Sequence, residues 1–330
     1  MNIFVAGSGA WGTALAMLLV DNHHTITLWT RTAEKAAAIR AARTNPTLAG
    51  VTLPDALAVT SDLSLARQAE LVLLAVPSYA LRETAQAIAP HLAPDAILVS
   101  ATKGIERETN ARMTEIIAAY AGPGHPVLAL SGPTHAEEVS RRMATGCVIA
   151  GYDLEAAKYV RSIFMNDVFR IYVTDDVTGV ELCGAFKNVA ALGFGALHGM
   201  GAGDNLRAMY VTRAISEVAS LSITLGGRRD TCFGLAGVGD LIVTCYSAHS
   251  RNQRAGEYIG RGESVDEALR HVGAVVEGYY AAASIEKLCR ELGLELPVCA
   301  AISRVLYEGH APSEEITPLM RRAGFAEFRL

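Results

Sequence analysis

The segment Gly7-Ser8-Gly9-Ala10-Trp11-Gly12 constrains this chain more than any other. Its G-x-G-x-x-G spacing stands directly after a β-rich run at residues 2–6 and directly before an apolar helical run at 10–20. Alone the spacing is weak; between a strand and a helix it marks the turn that receives a dinucleotide pyrophosphate. Gly7 permits the tight turn, Gly9 lets the backbone approach the phosphates, and Gly12 lets the helix pack on the strand. Ala10 and Trp11 open that helix, whose N-terminus faces the anion. Residues 3–20 carry no charge in a chain that is 51% hydrophobic, so a membrane span has to be weighed. A span needs roughly 20 consecutive apolar residues. Three glycines and Ser8 interrupt this stretch and no basic residue precedes it, which argues against both a span and a secretory signal. No stable membrane insertion is expected.

The first half of the chain alternates short apolar runs with helical patterns. Strands are expected at 2–6, 25–30, 57–60, 71–76, 97–101, 127–130, 147–150 and 169–173, and residues 44–54 read as a loop. Runs that are apolar throughout, such as 71–76, fit strands covered on both faces. This order implies a parallel sheet with helices on both faces. After Asp175-Asp176 strands vanish, and helices are expected at 178–192, 206–225, 252–260, 264–272, 279–292 and 298–307. Thr178 with Glu181, Ser250 with Gln253, and Ser264 with Glu267 read as capping boxes, and Gly226-Gly227 as a helix stop. The predicted fold is an α/β N-terminal Rossmann-like parallel-sheet domain over residues 1–176 and an all-α C-terminal substrate-binding and catalytic domain over 177–330.

The net charge is −5, and basic residues form no run longer than a pair such as Arg228-Arg229, so no nucleic-acid partner is expected. The six cysteines, at 147, 183, 232, 245, 289 and 299, form no C-x-x-C pair and no zinc-ligand spacing with histidine. They read as reduced core cysteines of a cytoplasmic protein that binds no metal.

Ligands of open α/β sheets bind beyond the carboxyl ends of strands. Three such ends are marked: Val76-Pro77-Ser78, Ala101-Thr102-Lys103-Gly104 and Ser131-Gly132-Pro133-Thr134. Lys103 places a cation where an apolar strand meets the cleft. Thr134 with Glu137 also reads as a helix cap. After the second strand the chain reads Leu28-Trp29-Thr30-Arg31, with no acid until Glu34. An acid there would bind the ribose 2′-hydroxyl of NAD, whereas Arg31 suits a 2′-phosphate, so NADP is the preferred cofactor and NAD the alternative. In the helical half Lys187 is a lone cation in an apolar helical run. It needs a partner or a task, and burial tunes a lysine towards acid–base work. Gly234 to Gly239 forms a second glycine-rich turn that delivers Asp240 to other segments. Ser250-Arg251-Asn252 combines a hydroxyl, a guanidinium and a helix start, which suits a phosphate. Val275-Val276-Glu277 is an apolar run broken by one acid, read as a first-turn carboxylate. His198 follows a helix without a partner at suggestive spacing.

Seven segments in order, at 7–16, 101–104, 131–134, 184–188, 235–241, 250–252 and 275–279, together resemble the bacterial NAD(P)-dependent sn-glycerol-3-phosphate dehydrogenases. The resemblance covers nearly the full length. It implies reduction of dihydroxyacetone phosphate to sn-glycerol 3-phosphate for phospholipid synthesis. It implies Lys187 as proton donor and acceptor, Lys103 against substrate and nicotinamide, and Asp240 orienting the lysine. Gly132, Thr134, Asp240, Ser250, Arg251 and Asn252 would line the substrate site; Trp11, Arg31, Ala136, Arg251, Val275 and Glu277 would contact the cofactor. Ala49, His135 and Phe186 depart from the family's usual residues. The apolar helical half suits a homodimer interface. Two rivals remain: another two-domain dehydrogenase acting on a hydroxyacid or ketopantoate, and an NADP(H)-sensing protein without catalysis.

Overall fold

A computed structural model describes residues 1–322. Residues 323–330, which the sequence reading places in the helical half, lie outside the described residues. The strands are β1 (Asn2–Ala6), β2 (Thr25–Trp29), β3 (Thr44–Asn45), β4 (Leu48–Thr52), β5 (Ala58–Thr60), β6 (Leu71–Leu74), β7 (Ile97–Ser100), β8 (Val127–Ser131), β9 (Thr145–Ala150) and β10 (Phe169–Thr174). Between them lie helices α1 (Ala10–Asp21), α2 (Ala33–Ala42), α3 (Leu81–Ile88), α4 (Met113–Ala121), α5 (Ala136–Val139) and α6 (Leu154–Phe164). The rest of the chain is α7 (Val177–Gly199), α8 (Asp204–Thr224), α9 (Arg229–Phe233), α10 (Asp240–Tyr246), α11 (Arg251–Gly260), α12 (Val265–Val272), α13 (Glu277–Leu292), α14 (Pro297–Ser303) and α15 (Pro312–Arg321).

The main sheet runs β10-β9-β8-β7-β6-β1-β2-β5. From β5 to β8 this is the doubly wound order, with its switch point between β1 and β6. Two apolar layers cover it. Leu15, Leu19, Ile39 and Phe164 lie in one layer, on α1, α2 and α6; Leu81, Ile88, Met113 and Ile117 lie in the other, on α3 and α4. The sheet is parallel as expected except at one pair: β9 pairs antiparallel with β8, and β10 then runs parallel to β9. Between β8 and β9 the only helix is the four-residue α5, too short to carry the chain back across the sheet, so it re-enters from the same end. Residues 44–54 are corrected, from a loop to the antiparallel β3–β4 hairpin, anchored by buried Leu48 and Leu53.

The helical half surrounds α7, which α8, α10, α11 and α13 cover. This helix is long and apolar enough to cross a membrane, yet 89% of its apolar window is buried inside the chain. Its contact with α11 is unusually close. A Cβ at Gly195 would stand 2.0 Å from the Gln253 carbonyl oxygen, and one at Gly256 1.9 Å from that of Leu192. Gly199 and Gly260 meet the opposite backbone in the same way. Two of the expected caps are corrected. Asp176, not Thr178, caps α7 by accepting from the Gly179 N–H, and α7 runs to Gly199, so His198 lies in its last turn. Before α5 the Thr134 hydroxyl donates to the Gly132 carbonyl instead of capping. Ser264 and Glu267 form the complete box, whereas Gln253 turns its amide to Glu257 while Ser250 still caps α11.

Candidate active site

The dinucleotide turn sits at the switch point. Gly7 adopts φ +127°, and a Cβ there would lie 2.4 Å from the Ala75 carbonyl oxygen beyond β6. A Cβ on Gly12 would lie 2.0 Å from the Gly7 carbonyl oxygen, so α1 starts in direct contact with the turn. Gly9 faces open space. Beside it the indole N–H of Trp11 is buried without a partner among the described residues. Arg31 is exposed just before α2.

Strands β7 and β8 end at the same cleft, opposite the middle of α7. Asp240, the first residue of α10, is fully buried there. One carboxylate oxygen accepts from Lys187 Nζ at 2.6 Å and the other from Lys103 Nζ at 2.6 Å. Lys187 also donates to the Thr244 hydroxyl at 2.9 Å, and Lys103 to the Gly132 carbonyl at 2.9 Å. One buried anion thus holds two ammonium groups from opposite halves of the chain. Burial pushes the Lys187 pKa down, Asp240 pulls it back up and Lys103 opposes that; the result is about 8. Burial disfavours the Asp240 anion, but the two lysines outweigh it and hold its carboxyl below the usual range. Lys187 is thereby poised to exchange a proton near neutral pH. The expected glycine-rich turn at 234–239 is a single turn of π-helix at Leu235–Gly239, which runs straight into α10 and so fixes Asp240.

Around this centre stand the other expected residues. Ser250 caps α11, whose first residue, Arg251, is exposed and close enough to Glu277 to favour its charged form. Asn252 points inward: its amide donates to Asn188 and its oxygen accepts from the Gly278 N–H, so it ties α7, α11 and α13 together. Glu277 opens α13 as expected and also reaches across to the end of β6. It accepts from the Ser78 hydroxyl at 2.5 Å and the Ser78 N–H at 3.2 Å. Burial raises its pKa, and Ser78 and Arg251 limit the rise. Ala136 is buried at the start of α5, and Val275 is half-buried before α13. Neither makes a polar side-chain contact.

Sequence reasoning missed Thr244, Asn188 and the partnership of Ser78 with Glu277. Thr244 was recoverable, since it lies one helical turn after Asp240. The Ser78–Glu277 contact spans 199 positions and left no local signal. Lys103 and Lys187 were singled out separately, but nothing in the sequence shows that they share one carboxylate.

Among known proteins, the family description "NAD-dependent glycerol-3-phosphate dehydrogenase N-terminus" matches residues 2–157, and that of the C-terminus matches 176–317. A glycerol-3-phosphate dehydrogenase [NAD(P)+] of Moorella thermoacetica is 43% identical over 323 residues, covering 97% of this chain and 96% of its own. One of Enterococcus faecalis is 41% identical over 329 residues, covering 98% of this chain and 97% of its own. The crystal structure of glycerol-3-phosphate dehydrogenase from Coxiella burnetii superposes with a TM-score of 0.93 at 31% identity, covering 97% of this chain and 99% of its own. A ketopantoate reductase from Ralstonia eutropha, at 17% identity and a TM-score of 0.64, shares the fold alone. Matched in both halves, this chain belongs to the NAD-dependent glycerol-3-phosphate dehydrogenase family.

Proposed function

We propose that the protein reduces dihydroxyacetone phosphate to sn-glycerol 3-phosphate with NADPH or NADH, supplying glycerophospholipid synthesis. The observation that carries the reading is the buried Asp240 carboxylate shared by Lys103 and Lys187 at the mouth of the sheet. A ketone reductase must neutralise charge on the carbonyl oxygen and give that oxygen a proton, and two ammonium groups held by one anion suit both tasks. Residues 1–176 form the cofactor half and residues 177–330 the substrate half. The turn fits a dinucleotide: Gly9 leaves room for a pyrophosphate, and the unpartnered Trp11 indole N–H offers a donor beside it. Gly7, Gly9, Ala10, Trp11 and Gly12 would hold the phosphates, Arg31 a 2′-phosphate, and Ala136, Val275 and Glu277 the nicotinamide side. When bound, the nicotinamide supplies hydride chemistry.

The chain's own residues do the rest. Lys187, as ammonium, donates its proton to the carbonyl oxygen. Lys103 polarises the same oxygen or holds the substrate. Asp240 orients both lysines and keeps Lys187 protonated. Arg251, with Ser250 and the α11 N-terminus, anchors the phosphate, and Gly132 and Thr134 line the glycerol side. Asn252 supports that anchor from behind. Phosphate binding remote from the reacting carbon can be used to align the ketone. The reading also includes a homodimer in the cytoplasm; six buried free thiols suit a reducing compartment.

One assay tests the reading: oxidation of NADPH and of NADH with dihydroxyacetone phosphate, against ketopantoate and a control without substrate. Turnover with dihydroxyacetone phosphate alone supports it. Turnover with ketopantoate alone favours the hydroxyacid rival, and no turnover favours the sensor. In the same assay Arg31→Ala lowers the kcat/KM ratio of NADPH to NADH; an unchanged ratio removes Arg31 from cofactor choice.

A further inference from the structure

The β3–β4 hairpin reaches into the dinucleotide turn through a side chain that no motif marks. Asn45 is 1% exposed, although it lies in a two-residue strand outside the main sheet. Its amide nitrogen donates to the Ser8 carbonyl at 2.9 Å and to the Thr13 hydroxyl at 2.8 Å. Ser8 is the residue between the first two glycines, and Thr13, fully buried, lies in the first turn of α1. The Asn45 oxygen accepts from the Thr47 N–H, and the Thr47 hydroxyl lies 3.3 Å from the Ser8 oxygen. From the other side Lys35 Nζ approaches the same oxygen at 3.4 Å. A single carbonyl therefore gathers donors from Asn45, Thr47 and Lys35.

Peptide geometry converts this gathering into an orientation. In a planar trans peptide the C=O and the following N–H point in opposite directions. Drawing the Ser8 C=O towards the hairpin and α2 turns the Gly9 N–H the other way. The Gly9 N–H has no acceptor among the described residues, and nothing lies within 4 Å of where a Gly9 Cβ would stand. The Ser8–Gly9 peptide turns about Ser8 ψ and Gly9 φ, and with no side chain on Gly9 it needs such an anchor to keep one orientation.

We propose that Asn45 is a positioning residue for the cofactor: it fixes the Ser8–Gly9 peptide so that the Gly9 N–H faces the pyrophosphate. The proposal rests on the dinucleotide reading of the turn. A turn ordered beforehand loses less freedom on binding, so the gain is in cofactor affinity and not in the chemical step. The pyrophosphate is common to both dinucleotides, so the gain is equal for both.

The test uses the full chain with Asn45→Ala, the same-sized Asn45→Asp, which keeps no donor for Ser8, and Thr47→Val. Dissociation constants for NADPH and NADH are measured by nicotinamide fluorescence, and kcat and KM by steady-state kinetics. Asn45→Ala raises Kd and KM for both cofactors on the order of tenfold, as expected for losing the shortest of the three hydrogen bonds to Ser8 together with the bond to Thr13. The NADPH to NADH ratio, kcat at saturating cofactor and KM for dihydroxyacetone phosphate stay within about twofold, the split expected when only binding is lost. Asn45→Asp weakens binding at least as much, and Thr47→Val less, in the same direction. A folded Asn45 variant with unchanged cofactor Kd overturns the proposal. So does a loss confined to one cofactor, or a fall in kcat without a rise in KM. If the Asn45 variants do not fold, an unchanged Kd in Thr47→Val overturns it equally. If the wild type binds dinucleotides without reducing dihydroxyacetone phosphate, the substrate reading fails while the binding measurements still decide the role of Asn45.

Discussion

At the residue scale the protein is organised by one carboxylate. Asp240 is costly to bury as an anion, and Lys187 is costly to bury as a cation; each makes the other tolerable, and Lys103 supplies the second positive charge. Removing the proton donor is predicted to cost turnover: Lys187→Ala lowers kcat by about 10²–10⁴-fold with cofactor Kd retained. Ketone reduction requires the ammonium form, so its rate is level below the Lys187 pKa of about 8 and falls above it. Asp240 raises that pKa, so Asp240→Asn lowers it, and the falling limb of the pH–kcat profile moves to lower pH. A limb that stays in place in Asp240→Asn would show that another group sets it. The sequence revealed the members of this cluster through their chemistry, because a lone lysine in an apolar helix demands explanation. It could not reveal the pairing of Lys103 with Asp240, 137 positions away, which depends on how the two halves meet. It also misread Glu181, and it could not show what Asn252 holds. Asn252 adjoins the phosphate anchor but spends its amide on Asn188 and Gly278. Glu181 looked like half of a capping box, and it is a buried ion-pair partner of Arg112.

At the element scale the α7–α11 seam sets the distance between chemistry and phosphate anchor. Lys187 is on α7 and Arg251 begins α11, and the two helices meet backbone to backbone at Gly195, Gly199, Gly256 and Gly260. A methyl group has no room there. Gly256→Ala is predicted to destabilise the fold by about 1–3 kcal/mol or more, the usual cost of overpacking. It also raises KM for dihydroxyacetone phosphate more than KM for the cofactor, because α11 moves and the dinucleotide turn does not. Thermal melts and the two KM values check this; equal changes in both would remove the seam from substrate positioning. Both helices carry a glycine pair spaced by four, a signal present in the sequence and passed over. The strand expectations held where runs were wholly apolar, as in β6 and β7. Direction was not legible: a buried strand reads the same forwards and backwards, so the reversal at β9 follows only from the short α5 link. The hairpin at 44–52 escaped because Pro46 and Gly50 break its strands into pieces too short for periodicity.

At the scale of the whole molecule the halves are joined by buried polar contacts. Glu181 of α7 accepts from Arg112 at 2.9 Å and from the Thr114 hydroxyl and N–H at the start of α4. Burial raises the Glu181 pKa, and Arg112 and Thr114 restrain it. Ser284 donates to the Ile105 carbonyl, and Glu277 holds Ser78. Glu181→Ala is predicted to destabilise the protein by about 3 kcal/mol, the cost of leaving a buried charge short of its partner. Replacing both members, with Arg112→Met and Glu181→Met together, recovers much of that loss. Denaturant melts of the single and double variants check it; a double variant no more stable than the single would show that the ion pair itself, and not the orphaned charge, matters. The central position of α7 has a further consequence for biosynthesis. Translation finishes α7 at Gly199, but α13, one of its covers, is complete only at Leu292. At bacterial-type elongation speeds those roughly 90 residues take on the order of 5–20 s. For that interval a greasy helix of membrane-spanning length lacks part of its shell, so the speed of downstream synthesis bears on how long it stays open to lipid and to other chains.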